Sequence, residues 1–405
     1  MTKEQLQKET LDIVKCGEKN NLALLWCTSL GKSKMAIDIA KKVTTDKSKI
    51  LLVVAEIAHK KNWKEEFDKW KFNTKNVVVT CYASLKNYEN TQWDIIIYDE
   101  AHHLKSDIRT SIIKTIKSNN VVLLSATMSI DLLGTLTRIY GNFEVSRFPL
   151  DKAIKLGIIP EPKIYLIPLR LYNVPGIQTI EESWGLKNKR VNITCSYNDR
   201  WKYMKDRKKY PNVNLTIECT AEEKYSHLNT QFEYYKNLYM ITYKEATKIK
   251  WLRIGSERKR FLGECKDFAL VQLLPKLENK RYICFCSSIK QTSLVGNSKN
   301  AIHSKNKNSL NIINNFNLKK INKLFAVGML QEGQNLKDIE AGVIVQLDGE
   351  ERSFIQKFGR TCRAEDPIQF ILYFENTRDE EFLNNVINNI DSQYIVKLDI
   401  NDFTL

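Results

Sequence analysis

The chain predicts two successive α/β lobes, each built on a mostly parallel sheet, with a span of different character between them. Three observations carry this. Residues 1–150 alternate short apolar runs with charged helical stretches; a similar rhythm restarts near Arg281; and the span between is rich in aromatic side chains and cations. A parallel strand is buried on both faces and needs a helical crossover to its neighbour, so this alternation is the expected signature of such sheets.

Taken in order, the first lobe (1–150) offers five strand candidates: Leu22–Cys27, Ile50–Ala55, Val77–Tyr82, Asp94–Asp99 and Val121–Ser125. The second lobe (281–405) offers five more: Tyr282–Cys286, Ala301–His303, Leu324–Val327, Gly342–Leu347 and Ile368–Phe374. Residues 151–280 read as a connector and an α+β insertion arm carried on the second lobe. Pro160, Pro162 and Pro168 flank an extended connector, Lys163–Ile167. Val191–Tyr197 and Val213–Cys219 alternate like a β pair. Tyr225, Leu228, Phe232, Tyr235 and Tyr239 then fall on one face of a helix. That stripe is expected to pack into the second lobe, and Ser256–Leu274 reads as another helix.

At 405 residues the chain can bury two or three separate cores. Its 43% hydrophobic and 27% charged content are those of an ordinary soluble protein. No apolar run approaches the roughly 20 residues of a membrane span, and MTKEQLQKET carries no signal core. The nine cysteines, odd in number and scattered, suit a reducing compartment. A cytoplasmic setting, in a bacterium or a phage-infected host, follows as the expectation. Net charge is +16, with +6 on residues 1–150, +10 on 151–280 and none on 281–405. A polyanion is expected over the first two thirds, and nucleic acid is the partner such a surface suits.

Chemistry concentrates in a few turns. WDIIIYDEAHHLK (Trp93–Lys105) places Asp99 and Glu100 at the end of a buried apolar strand. Ligands collect at the carboxyl ends of parallel strands. One acid there can hold a hydrated magnesium while the next deprotonates an attacking water. Thr28-Ser29-Leu30-Gly31-Lys32-Ser33 follows the first strand and precedes a helical run. Backbone amides of such a turn close around phosphate, Lys32 reaches the β/γ-phosphates, and the Ser33 hydroxyl ligates magnesium. Alone, GKS is only a helix-capping turn; upstream of the acidic pair it reads as a phosphate loop. Trp26 and Ser29 stand where glycine or alanine is more usual. Ser125-Ala126-Thr127 ends the fifth strand, either as a strand end and cap or as a coupling element reaching the acids. QKFGRTCR (Gln356–Arg363) puts Arg360 and Arg363 on one helix face, where guanidinium groups suit charge on a γ-phosphate in flight.

These motifs resemble those of superfamily 2 helicases with a DEAH box. The resemblance implies two RecA-like lobes clamping ATP between them. It makes Thr28 to Ser33, Asp99 and Gly333 nucleotide-binding residues, with Ser33 and Asp99 on magnesium, Glu100 as base, Gln356 positioning phosphate or water, and Arg360 and Arg363 as arginine fingers. His102, Ser125 and Thr127 would couple hydrolysis to lobe movement. LLVVAEIAHKKNWKEEFDKW, VVVTCYASLKNY and GMLQEGQNLKD are similar to segments of Swi/Snf-type translocases and phage helicases. That similarity nominates Thr80 and Tyr82 for backbone contact. The proline usual after the second strand is replaced by Ala55-Glu56, and Gln5 and Gln7 fit an adenine-reading role equally.

The loop NDRWKYMKDRKKYP (Asn198–Pro211) is either a solvated charged hairpin tip or a nucleic-acid contact. In the second reading Trp201 and Tyr203 stack on bases while Arg200, Lys202 and Lys208 neutralise phosphates. His303 stands where related proteins carry a histidine near the nucleic-acid path, and capping fits it equally. The function expected is an ATP-dependent DNA helicase or double-strand DNA translocase, probed against an RNA helicase or the motor subunit of a restriction system. A monomeric motor is expected, with a replication, recombination or nuclease partner.

Overall fold

The computed structural model describes the chain except residues 175, 329–335, 348–350, 362, 363, 389 and 402–405. Gly333 and Arg363 therefore lie outside the described residues.

The first sheet has six strands: β1 (Asn21–Trp26), β2 (Ile50–Val54), β3 (Val77–Cys81), β4 (Gln92–Asp99), β5 (Lys117–Ser125) and β6 (Glu144–Phe148). Their order is β3-β2-β4-β5-β1-β6, and every pair is parallel. Helices α1 (Lys3–Asp12), α2 (Lys32–Val43), α3 (Ile57–Lys69), α4 (Asp107–Ile113), α5 (Ile130–Tyr140) and α6 (Leu150–Lys155) accompany it. All five expected strands form. The sixth, EVSRF, is mostly exposed and too polar to have been read as a strand, yet it completes the sheet beside β1. Leu25 pairs with Ser125 and Asp99 with Leu124, so β1, β4 and β5 end along one edge. That register brings the phosphate-loop candidate, the acidic pair and Ser125 together.

The second sheet has seven parallel strands in the order β12-β13-β11-β14-β15-β7-β16. They are β7 (Lys163–Leu169), β11 (Tyr282–Phe285), β12 (Ala301–Ile302), β13 (Lys323–Ala326), β14 (Ala341–Ile344), β15 (Ile368–Phe374) and β16 (Ile395–Lys397). The expected connector is thus a full strand, β7, paired with β15 from Lys163 to Leu169. Pro168 is tolerated within it near the sheet margin, between β15 and the short β16. Helices α10 (Asp267–Lys276), α11 (Ile289–Val295), α12 (Ser309–Asn317), α13 (Glu351–Thr361) and α14 (Arg378–Ile387) pack around this sheet. Two parallel-sheet α/β lobes are thereby established. One apolar cluster contains residues of both, with Leu24 and Leu124 from the first and Phe358 and Ile371 from the second.

The arm lies between β7 and α10. Its sheet is β8 (Gln178–Trp184), β10 (Val213–Cys219) and β9 (Val191–Ser196), with β10 central. β9 and β10 pair in parallel rather than as a hairpin, so their connection is a crossover containing α7 (Arg200–Lys205). The long helices α8 (Ala221–Thr242) and α9 (Glu245–Glu264) follow as an antiparallel pair. α8 starts at a capping box, Thr220 with Glu223. Its aromatic stripe departs from expectation. Phe232 and Tyr239 pack on Trp251 of α9, at 5.9 and 5.8 Å between ring centroids, and only the base of α8 enters the second-lobe core. The helix expected over Ser256–Leu274 is broken at Cys265–Lys266, between α9 and α10. There Lys266, fully buried, meets Asp379 at 2.5 Å and donates to the Val345 and Leu372 carbonyls.

Candidate nucleotide site

A cleft of about 930 Å³ opens between the lobes. From the first lobe it is lined by Gln7, Thr28, Ser29, Gly31, Lys32, Ser33, Asp99 and Glu100; from the second by Gln356, Gly359 and Arg360. The expected juxtaposition of the arginine helix with the phosphate loop and acids is therefore present for Arg360.

The loop that opens the cleft is shaped by its backbone. Gly31 sits at φ 83° and Ser29 at φ 72°, both left-handed, and α2 begins at Gly31 with no side-chain cap. A helix start without a capping side chain leaves its first amides for an anion. Ser29 holds a conformation that glycine adopts without cost, which explains why glycine is more usual there. Leu30 is buried and serves packing, while its carbonyl accepts from Gln7. Lys32 Nζ donates to the Trp26 carbonyl at 2.9 Å. The Trp26 side chain itself turns into the core, where its indole donates to Ser146 Oγ at 2.9 Å, so its bulk does not intrude on the cleft.

Asp99 lies half-buried at the end of β4, and burial, with Glu100 next, raises its pKa to about 6. Trp63 opposes this by donating its indole N–H to Asp99 Oδ2 at 2.7 Å, helped by His59 and Lys32. Glu100 is left-handed at φ 50°, a local strain that aims the side chain after the strand has ended. Its Oε2 lies 3.4 Å from His102 Nδ1, which meets Ser125 Oγ at 3.2 Å; Ser125 in turn donates to the Thr127 carbonyl at 2.6 Å. The hydroxyl of Ser125 thus reaches the acids through His102, and Thr127 takes part by its backbone, where direct contact had been expected.

On the opposite wall, α13 approaches the loop so closely that a Cβ on Gly359 would stand 1.6 Å from Thr28 Oγ1. Glycine there is a condition of lobe contact. Among the described residues, Thr28 Oγ1, Ser29 Oγ, Gln356 Nε2 and His59 Nε2 are buried polar atoms without a hydrogen-bond partner. All four residues line the cleft. Buried polar groups are ordinarily satisfied, and this set, with Lys32, Arg360 and the amides at Gly31, fits a polyanion with its cation.

Two expectations about nucleic acid are corrected. Thr80 is 2% and Tyr82 3% exposed, because Tyr82 faces inward to donate to the Asp99 carbonyl at 2.9 Å. Neither presents a surface to a phosphate backbone. In the arm, Arg200 lies over the Tyr197 ring at 3.4 Å and over Trp201 at 4.7 Å. Lys202 sits 5.6 Å above Tyr203, which packs edge-on to Tyr210, whereas Lys208 is exposed. Half-buried His303 accepts backbone and Ser309 hydroxyl bonds through its carbonyl, which caps the following turn.

Sequence reasoning left Gln5 and Gln7 equivalent. The structure separates them: exposed Gln5 closes the capping box of α1, and buried Gln7 faces the cleft. His59 and Trp63 were missed, although a histidine and a tryptophan four apart share a helix face.

Residues 265–365 match the helicase conserved C-terminal domain, and residues 2–130 match the type III restriction enzyme, res subunit. The Pyrococcus furiosus Hef helicase domain is similar in structure, at TM-score 0.50 and 14% identity over 93% of this chain and 96% of that one. Saccharomyces cerevisiae Dbp5, solved with RNA and ADP BeF3, is similar at TM-score 0.60 and 11% identity, over 98% and 90% of the two chains. No curated protein sequence matches the chain. Fold and domain matches together support a superfamily 2 helicase with two RecA-like lobes. The protein is a nucleic-acid-dependent ATPase of the helicase class.

Proposed function

We propose that the chain is a DNA helicase or double-strand DNA translocase driven by ATP with magnesium. The observation that carries this reading is the single cleft shared by Lys32, Asp99 and Glu100 of one lobe and Gln356 and Arg360 of the other. Thr28 to Ser33 hold the triphosphate, with Gln7 toward the base. Ser33 and Asp99 hold magnesium, which supplies charge neutralisation at the phosphates. Glu100 takes the proton of the attacking water, Gln356 orients that water or the γ-phosphate, and Arg360 stabilises the transferring group. His102, Ser125 and Thr127 link Glu100 to the end of β5. Closure brings α13 against Thr28, and its release lets the lobes step. Gly333 and Arg363 keep their expected roles on the motif alone.

DNA is favoured by the likeness of the motifs to DNA translocases. Duplex translocation as the motor of a restriction system is a second reading, favoured by the match of residues 2–130. The deciding experiment is ATPase stimulation across single-stranded DNA, duplex DNA, forked DNA and RNA. Stimulation by duplex or forked DNA supports the first reading. Stimulation by RNA alone overturns it, and dependence on an added nuclease subunit selects the second.

A further inference from the structure

We infer that His59 and Trp63 form a positioning pair on α3 that holds Asp99 in register for the hydrated divalent cation accompanying the nucleotide. The inference rests on the ATPase reading above. Both side chains are 3% exposed and both line the cleft. Trp63 is fixed from behind, tilted against Phe67 at 5.6 Å, with its N–H committed to Asp99 Oδ2 at 2.7 Å. A carboxylate pinned through one oxygen keeps the other in a defined direction.

His59, one turn earlier on α3, is the other member of the pair. Its Nε2 is buried without a hydrogen-bond partner, a polar atom that destabilises the site unless something in the cleft meets it. Magnesium dehydrates reluctantly and keeps several waters, and those waters need acceptors in the surrounding shell. A neutral imidazole one helical turn before the indole, with its proton on Nδ1, would accept from such a water through Nε2. The residues after β2 thereby acquire a role at the cation. Ala55-Glu56 leads from the end of β2 into α3, which begins at Ile57.

The test uses the full chain and a fluorescent, non-hydrolysable ATP analogue, titrated with magnesium chloride and in EDTA. Trp63→Phe keeps the ring and loses the N–H; His59→Ala removes the imidazole, and His59→Gln restores a polar atom. The magnesium concentration for half-maximal nucleotide binding should rise about tenfold or more in Trp63→Phe and His59→Ala. Binding in EDTA should fall far less than binding in magnesium, and His59→Gln should recover part of the loss. Thermal midpoints report folding, and if Trp63→Phe fails to fold, the His59 variants carry the test. An unchanged magnesium midpoint overturns the pair. Equal losses with and without magnesium reduce both residues to core filling. A wild-type chain that binds no nucleotide, with Lys32→Ala as the control, overturns the ATPase reading and this inference together.

Discussion

The nucleotide cleft and the middle arm both collect charged and aromatic side chains, but they hold them differently. Around the cleft several groups are held in place: Lys32 by the Trp26 carbonyl, Trp63 by the Asp99 carboxylate, and α13 against Thr28 where Gly359 carries no Cβ. In the arm the cations lie on their own aromatic neighbours, and Trp201 remains 48% exposed between Arg200 and Lys205. A catalytic site must be rigid before its ligand arrives, since preorganised dipoles act without reorganisation. A surface that follows a moving polymer needs charge more than geometry. Mutations should therefore act steeply in the cleft and gradually in the arm.

The steepest effect is expected at Arg360. Arg360→Ala should lower nucleic-acid-stimulated turnover about 10³-fold or more, as loss of an arginine finger does, with nucleotide binding preserved. Glu100→Gln should likewise stop hydrolysis in steady-state assays while leaving nucleotide binding intact. Retained turnover in either variant removes the rigid half of the comparison.

Gly359→Ala tests rigidity at the lobe contact. A methyl group cannot share space with Thr28 Oγ1, and rotation of that side chain still leaves its Cβ too close, so the loop and α13 must part; a misplacement on the order of 1 Å costs about 10²-fold. The drop should appear in kcat, with the magnesium-nucleotide affinity of the first lobe little changed. Gly359→Ser should be as damaging, which separates space from polarity.

A stability effect of smaller size is expected at Asp99. Its folded pKa, raised from 3.8 to about 6, means the folded apoprotein binds the proton more tightly than the unfolded chain. Stability from this group is complete below pH 3.8 and is lost as pH rises toward 6. Asp99→Asn should therefore stabilise the nucleotide-free protein at pH 8, by about 1–3 kcal/mol, and bring no such gain near pH 4. Chemical denaturation at the two pH values measures it.

Much of the cleft was legible because its chemistry is written in turns at strand ends. The register of a parallel sheet brings Ser29, Glu100 and Ser125 to one edge once the strands are placed. Trp63 and His59 were not legible, since their partner Asp99 is distant in sequence and nothing local announces a contact across α3 and β4. The same reason hid β7: a strand flanked by prolines looks like a connector until β15 supplies its partner. Tyr82 misled for the opposite reason, because an aromatic residue after a strand reads alike whether its hydroxyl faces solvent or the Asp99 carbonyl.

The arm offers the smallest single effects and the most direct way to sharpen the contrast. Neutralising Lys202, Lys205, Lys208 and Lys209, all exposed, removes charge without disturbing a core. If the loop follows a duplex backbone, the slope of log affinity against log salt should fall by about 0.9 for each phosphate that is no longer neutralised. ATP turnover at saturating DNA should be unchanged. Trp201→Ala should weaken binding to single strands by no more than about 1–3 kcal/mol, and by less if Arg200 and Lys205 stay over the ring. A slope unchanged by all four substitutions would make these cations a solvated surface. The positive field of the middle third would then have to act through other residues of the arm.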